Sequence, residues 1–345
     1  MRQISITGDF DFLQAKIHGL RSRVYESARL DDLCGLRTIA QLWHRLYPES
    51  EAADHHALQR RLLADHVDTL QTICLHLPER LAPLLAWMTR RYQVENLKVL
   101  LRAWKSHTPY ARVEPFLAPL RAEFDLPARA LLKATSLADF LLLIPLEEFR
   151  AAAQRHAAEQ IENDDTFFLE TAFDAAYYQR LLDEQRRLPG EHRRSTERLI
   201  DFEVVTYNLL CLFRLKLNYG LPFDQVRPFL VSQVPHPVRL ERIYDFPHFA
   251  DMAARIPSRF LPAELAGKVS NVADLERALW AQGLRLANRQ FYRATGLLAG
   301  VVGFFIIKRV ELANLIRVVE GVRYGLGPGA IRQGVVRVGE AVGAR

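Results

Sequence analysis

The sequence is short of cysteine, of lysine and, over long stretches, of glycine, and each shortage excludes something. Only Cys34, Cys74 and Cys211 occur among 345 residues, with no C-x-x-C spacing. That rules against a disulfide framework or thiolate metal site and fits a reducing compartment, each thiol serving as a small buried apolar group. No apolar run approaches the roughly 20 residues needed to cross a bilayer. The longest, Gly296 to Ile307, is 12 residues between Arg293 and Lys308, and it predicts a buried helix segment or an interface. The first 15 residues hold two aspartates and no apolar signal-peptide core, so the expectation is a soluble protein able to sit beside a membrane. G-x-x-x-x-G-K-[ST], H-E-x-x-H, G-x-S-x-G and the kinase set are all missing. The G-x-G-x-G of Gly325, Gly327 and Gly329 follows a helix pattern and leads into no dinucleotide-binding unit. No catalytic, cofactor or metal residue is assigned, and the chain reads as a non-enzyme.

Of 46 basic residues only 7 are lysine, and the formal net charge is +6 with a pI near 9.3. An arginine excess invites a nucleic-acid or lipid-headgroup reading. The arginines are spread along the chain and massed in no tail or arm, which fits a compositional bias instead.

No glycine lies between Gly35 and Gly190, while 10 of the 17 lie from Gly296 onward. Hairpins and tight turns lean on glycine, so a long glycine-free stretch rich in Ala, Leu, Arg and Glu predicts helices joined by proline-containing turns. Met88, Tyr92, Leu97, Leu101 and Trp104 mark an apolar helical stripe. A helix over about 195–219 should stop at Gly220, ahead of Pro222. Ser136-Leu-Ala-Asp139 has the form of a capping box. No period-two alternation is present, and the fold class is all-α.

An internal repeat organises the chain. His107-Thr-Pro-Tyr-Ala-Arg-Val-Glu-Pro-Phe-Leu117 matches Gly220-Leu-Pro-Phe-Asp-Gln-Val-Arg-Pro-Phe-Leu230 at an offset of 113. Upstream, Asn96 and Arg102 match Asn208 and Arg214, and Asn314, preceded by Glu311, opens a third copy with its own stop at Gly325. Ile144-Pro145 and Ile256-Pro257 form a second recurring element, with Tyr47-Pro48 its counterpart in the first copy. Three helical bundles of about 110 residues follow, over 1–120, 121–232 and 233–325. Residues 326–345 form a Gly-rich tail expected to fray.

Other clusters read as structural. His55, His56 and His66 are expected to face solvent, because the eleven-residue step places the outer two roughly 16 Å apart along a helix. Asp31-Asp32 and Asp164-Asp165 lack the D-D-x-x-D of prenyl-transfer helices and read as acids at helix starts. The recurring residues Glu95, Asn96, Arg102, Glu203, Asn208, Arg214, Glu311 and Asn314 have two readings. They either pin the register of a packed bundle or line a partner surface; their apolar surroundings favour the first.

Tyr92-Gln-Val-Glu-Asn-Leu-Lys-Val-Leu-Leu-Arg102 resembles the Y-D-x-x-N-L-K-x-x-x-R helix found in the C subunit of archaeal and bacterial V/A-type ATPases, whose eukaryotic V-ATPase counterpart is the d subunit. Ala15-Lys-Ile-His-Gly-Leu-Arg-Ser-Arg-Val24 is similar to that family's A-R-V-x-x-M-K-S-R-L opening. Ile200 to Arg214 and Lys308 to Arg317 look like the second and third copies, the third departing with Glu320 where an Arg is expected. The resemblance runs from about residue 11 to 332. It implies a funnel of three pseudo-repeated bundles at the cytoplasmic face of the membrane, peripheral and not inserted. Its partners would be the central shaft subunits and the membrane proteolipid ring, with no cofactor and no nucleic acid. Without the resemblance, a helical adaptor or an Arg-rich nucleic-acid-binding helical protein stand as the alternatives.

Overall fold

A computed structural model describes residues 6–157, 165–234, 238–294 and 297–337, with side chains from Phe12 onward. Among these every regular element is helical. The long helices are α1 (Ile6–Arg21), α2 (His55–Cys74), α3 (Arg91–Lys105), α4 (Phe167–Arg187), α5 (Gly190–Tyr219), α6 (Val272–Arg293) and α7 (Leu298–Arg323), followed by the short α8 (Pro328–Gly334). Between them run one-turn helices and 3₁₀ turns at the proline-rich connections.

Local chemistry sets the helix ends. α5 stops at Gly220, which is left-handed at φ 64°, as anticipated, although the helix begins earlier than the apolar pattern suggested, at Gly190. α7 ends the same way, with Gly325 at φ 66°. At the corresponding end of α3 stands His107, forced to φ 53° without glycine's freedom. The αL region costs a residue with a Cβ about 1–2 kcal/mol. Gly220→Ala is therefore expected to cost about 1–2 kcal/mol, whereas His107→Gly should gain up to about 1 kcal/mol. Denaturant midpoints of the two variants check both signs.

Ser136 does cap its helix, accepting from the Asp139 N–H at 3.1 Å. A reciprocal capping box also occurs at Thr38, where Gln41 accepts from the Thr38 N–H at 3.3 Å and Thr38 Oγ1 accepts from the Gln41 N–H at 3.1 Å. Sequence pattern alone did not single it out.

The apolar run near Gly296 is a buried helix segment, with Leu298 to Ile307 inside on every side. Its hairpin with α6 is tight. A Cβ on Gly303 would sit 2.8 Å from the Ala287 carbonyl oxygen, so this position admits only glycine at the present spacing. No helix is long and apolar enough to cross a membrane among the described residues.

Three expectations are corrected. His66 is buried, 4% exposed, and its Nε2 is hydrogen-bonded to the Tyr92 hydroxyl, because it lies on the face of α2 that Leu58, Leu62, Val67 and Leu70 bury along the length of the helix. Asp31 and Asp32 lie near the end of the helix Ser27–Cys34, not its start, and are neutralised by Arg337, Arg332 and Arg45. Asp165 does stand at the start of α4, accepting from the Phe167 N–H at 2.9 Å; Asp164 lies outside the described residues. The tail is packed as far as Arg337: Ile331, Val335 and Val336 are buried, and Arg337 ion-pairs Asp31 across more than 300 residues of sequence. Residues 338–345 lie outside the described range.

Candidate functional site

The asparagines of the repeat perform one task three times. Asn96 donates its amide to the Ala118 carbonyl at 2.9 Å and accepts the Ala118 N–H at 2.7 Å. Asn208 holds Val231 identically, at 2.9 and 2.8 Å, and Asn314 holds Val336 at 2.8 and 2.7 Å. Each clamped residue lies 22 or 23 positions downstream, in extended chain just past the helix stop and its proline turn. Only a primary amide carries a donor and an acceptor side by side to match a peptide edge. All three are buried, so the clamp replaces water for two backbone groups at once.

The charged members of the motif act at the seams between helix pairs. Arg102 Nε on α3 donates to Glu170 of α4 at 2.7 Å, and Arg214 on α5 donates to Glu276 of α6 at 2.8 Å. The hydrogen bond from Arg102 to Glu170 also holds that guanidinium's pKa above its ordinary value. The third seam inverts this polarity: Glu320 of α7 accepts from the Gln59 amide of α2. The departure at Glu320 is thus matched by an uncharged donor on the helix it meets, so no like charges face each other.

The three glutamates are not equivalent. Glu95 lies one residue before its asparagine, Glu203 five before and Glu311 three before. Glu95 pairs with Arg91 at 3.0 Å; burial opposes its ionisation, but Arg91 and Lys98 hold its pKa below the usual range. Glu203 takes both Arg309 nitrogens, at 2.5 and 2.7 Å. Burial alone would lower the Arg309 pKa, yet Glu203 raises it above normal. Glu311 accepts the Tyr25 N–H at 2.7 Å, tying α7 to the chain after α1.

Many of these side chains converge on one cavity of about 400 Å³, walled by α3, α4, α5, α6 and α7. Its charges balance: Arg91, Lys98, Arg102, Arg214 and Arg309 against Glu95, Glu170, Asp174, Glu203 and Glu276. Every cation has a partner, Lys98 reaching both Asp174 oxygens at 2.7 Å. Apolar wall is supplied by Phe202, Leu210, Leu279, Trp280 and Ile316, with Arg309 and Arg317 over the indole at 5.5 and 5.4 Å. Asn96, Asn208, Asn314 and Glu311 are not among its lining residues. Sequence reasoning missed Glu170, Asp174, Glu276 and Trp280, although Glu170 and Glu276 each stand 38 positions before a repeat asparagine. That register was the available signal.

No group of three or more His, Cys, Asp or Glu able to hold a metal ion occurs among the described residues. Cys34 and Cys211 are buried and their thiols are pushed up by burial, Cys211 to about 12, which keeps them protonated at neutral pH.

These features define a helical protein whose recurring helix pairs are pinned by asparagine clamps and meet around a charge-balanced cavity. The chain belongs to the ATP synthase (C/AC39) subunit family, which matches residues 13–334. It is similar to the C subunit of the A-type ATP synthase of Methanosphaera stadtmanae, 20% identical over 322 residues that take in 89% of this chain and 82% of that protein. A similar protein of the same description in Methanobrevibacter smithii is 20% identical over 314 residues, 87% of this chain and 81% of that one.

Proposed function

We propose that this chain is the non-catalytic socket of a V/A-type rotary ATPase. Its three helical units would form a funnel that receives the tip of the central shaft and rests on the proteolipid ring, coupling ATP chemistry to proton or sodium transport. The chain would work at the cytoplasmic face of the membrane, peripheral to it. The observation that carries this reading is the cavity, walled by α3, α4, α5, α6 and α7 and balanced in charge. A balanced, partly apolar concavity suits a protein surface of mixed character. It suits nucleic acid poorly, because its cations are already paired and none remains to displace phosphate counterions.

Stiffness is the other requirement of a part that bears torque. The ion pairs of Arg102, Arg214 and Arg309 across the seams support it, alongside the close packing that protein interiors have in general. The reading calls for no cofactor and no catalytic residue.

The test is recovery of the tagged chain from its native cell, with stable partners identified by mass spectrometry, beside an Ala313→Trp variant. Ala313 lines the cavity, and an indole there occupies part of it. The unaltered chain is expected to bring down shaft and ring subunits, and Ala313→Trp to lose the shaft at least tenfold while melting normally. Unrelated partners alone, or a shaft retained by Ala313→Trp, overturns the proposal.

A further inference from the structure

Phe202 is a wall shared by two cavities. Besides the central one, it lines a second pocket of about 400 Å³ between α5, α6 and the turn at Arg259-Phe260. Phe202, Phe260 and Leu286 give this pocket an apolar floor, the two rings 5.4 Å apart. Its mouth carries four exposed arginines, Arg194, Arg198, Arg259 and Arg289, against the acids Glu197 and Asp201.

The contrast with the central cavity is informative. There every arginine that lines the wall is in an ion pair or bonded to a phenol. Here Arg194, Arg198 and Arg289 form no ion pair among the described residues. Arg194 and Arg198 stand four residues apart on α5 and so share a face, and Arg289 approaches from α6. Arg259 lies over the Phe260 ring at 5.0 Å, which keeps its guanidinium at the rim instead of across the floor. The pocket thus combines unneutralised planar cations, which match a phosphate fork, with an apolar base that a bare anion cannot use.

We propose that this pocket binds one phosphate-headed amphiphile. The head is held by Arg194, Arg198 and Arg289, and the proximal acyl chain lies on Phe202, Phe260 and Leu286. A zwitterionic head brings its own cation to the rim, and inorganic phosphate leaves the floor wet, so both bind less well. Apart from Phe202, the site's residues lie outside the central cavity, and binding needs no rotary partner.

Calorimetric titration of the purified full chain with short-chain phosphatidic acid, below its micelle concentration, tests this. Inorganic phosphate and phosphatidylcholine of the same chain length are titrated in parallel. Saturable one-to-one binding of phosphatidic acid, at least tenfold tighter than either comparison, is expected, weakening as salt rises. Arg198→Ala with Arg289→Ala should weaken it about tenfold or more, since hydrogen bonds to charged groups contribute at that level. Arg37→Ala with Arg60→Ala, both exposed and elsewhere on the molecule, removes the same net charge and should leave it unchanged. Absence of saturable binding, equal affinity for inorganic phosphate, or equal loss in the two double variants overturns the proposal. Melting temperatures of both double variants within about 2 °C of the parent establish that each is folded.

Discussion

Asn208→Leu is expected to lower the melting temperature by on the order of 3–8 °C while leaving the helix content intact. Leucine keeps the heavy-atom count and the branching of asparagine, so it can occupy the same site with only its bulkier methyl groups to accommodate. What it cannot do is serve the Val231 N–H and C=O, both now met by the Asn208 amide in a buried setting. Each unpaired buried group costs about 1–3 kcal/mol, hence about 2–6 kcal/mol for the pair. At roughly 2.1 cal/mol/K of unfolding entropy per residue, a chain of this size loses about 1.4 °C per kcal/mol. Asn96→Leu should behave alike, because its clamp on Ala118 has the same geometry. Asn314→Leu should also free the tail, since Val336 is its target, raising amide exchange from residue 331 onward. Calorimetry with circular dichroism measures the first effect. Shifts below 2 °C at both Asn96 and Asn208 would show that the clamps are incidental to stability.

A second large effect is expected from pH. Burial pushes the His66 pKa down to about 3, with Lys308 and Arg309 adding repulsion, against 6.5 in the unfolded chain. The neutral ring is hydrogen-bonded to the Tyr92 hydroxyl through Nε2. Between those two pKa values the unfolded chain binds a proton that the folded chain refuses. Stability therefore rises with pH across that window, at about 1.4 kcal/mol per unit. The full contribution is present above pH 6.5 and is lost progressively as pH falls toward 3. Paired carboxylates such as Asp31 add their own loss at lower pH, where their depressed pKa values are reached. His192, depressed chiefly by burial, contributes in the same direction as His66. From pH 6.5 to 5 the loss from His66 should reach about 2 kcal/mol. His66→Met keeps an apolar side chain in the site and should flatten this slope. Denaturant titrations at pH 5, 6 and 7 decide it: a variant slope equal to the parent's would remove His66 as the cause.

The helical class, the stop at Gly220 and the recurrence of Asn96, Asn208 and Asn314 were all legible in the chain, because each depends on neighbours in sequence. Glycine past a helix end, proline after it and spacing near 3.6 are local rules, and three copies reinforce one another. The glutamates show where that legibility ended. Glu95, Glu203 and Glu311 looked like one motif, yet they stand at three different registers and face three different partners.

His66 failed as a sequence reading for a related reason. Helical spacing states which face a residue shares, but not which face of α2 lies beneath α3 and α7. Glu170, Asp174, Glu276 and Trp280 escaped notice because their meaning depends on the helix opposite. Charge pairs such as Arg102 with Glu170 span 68 residues and have no local signature.

The sequence by itself determined an all-helical chain, its helix ends and its membership of a family. Those follow from backbone dihedral preference, capping and periodicity, which act within a few residues. The tertiary structure alone decided which cations are neutralised, that a balanced cavity lies between the helix pairs, and that three arginines elsewhere have no ion pair among the described residues beside an apolar floor. Those outcomes depend on desolvation and on distances across elements far apart in the chain, where ion pairing falls off within a few ångströms and burial is set by whatever packs on top.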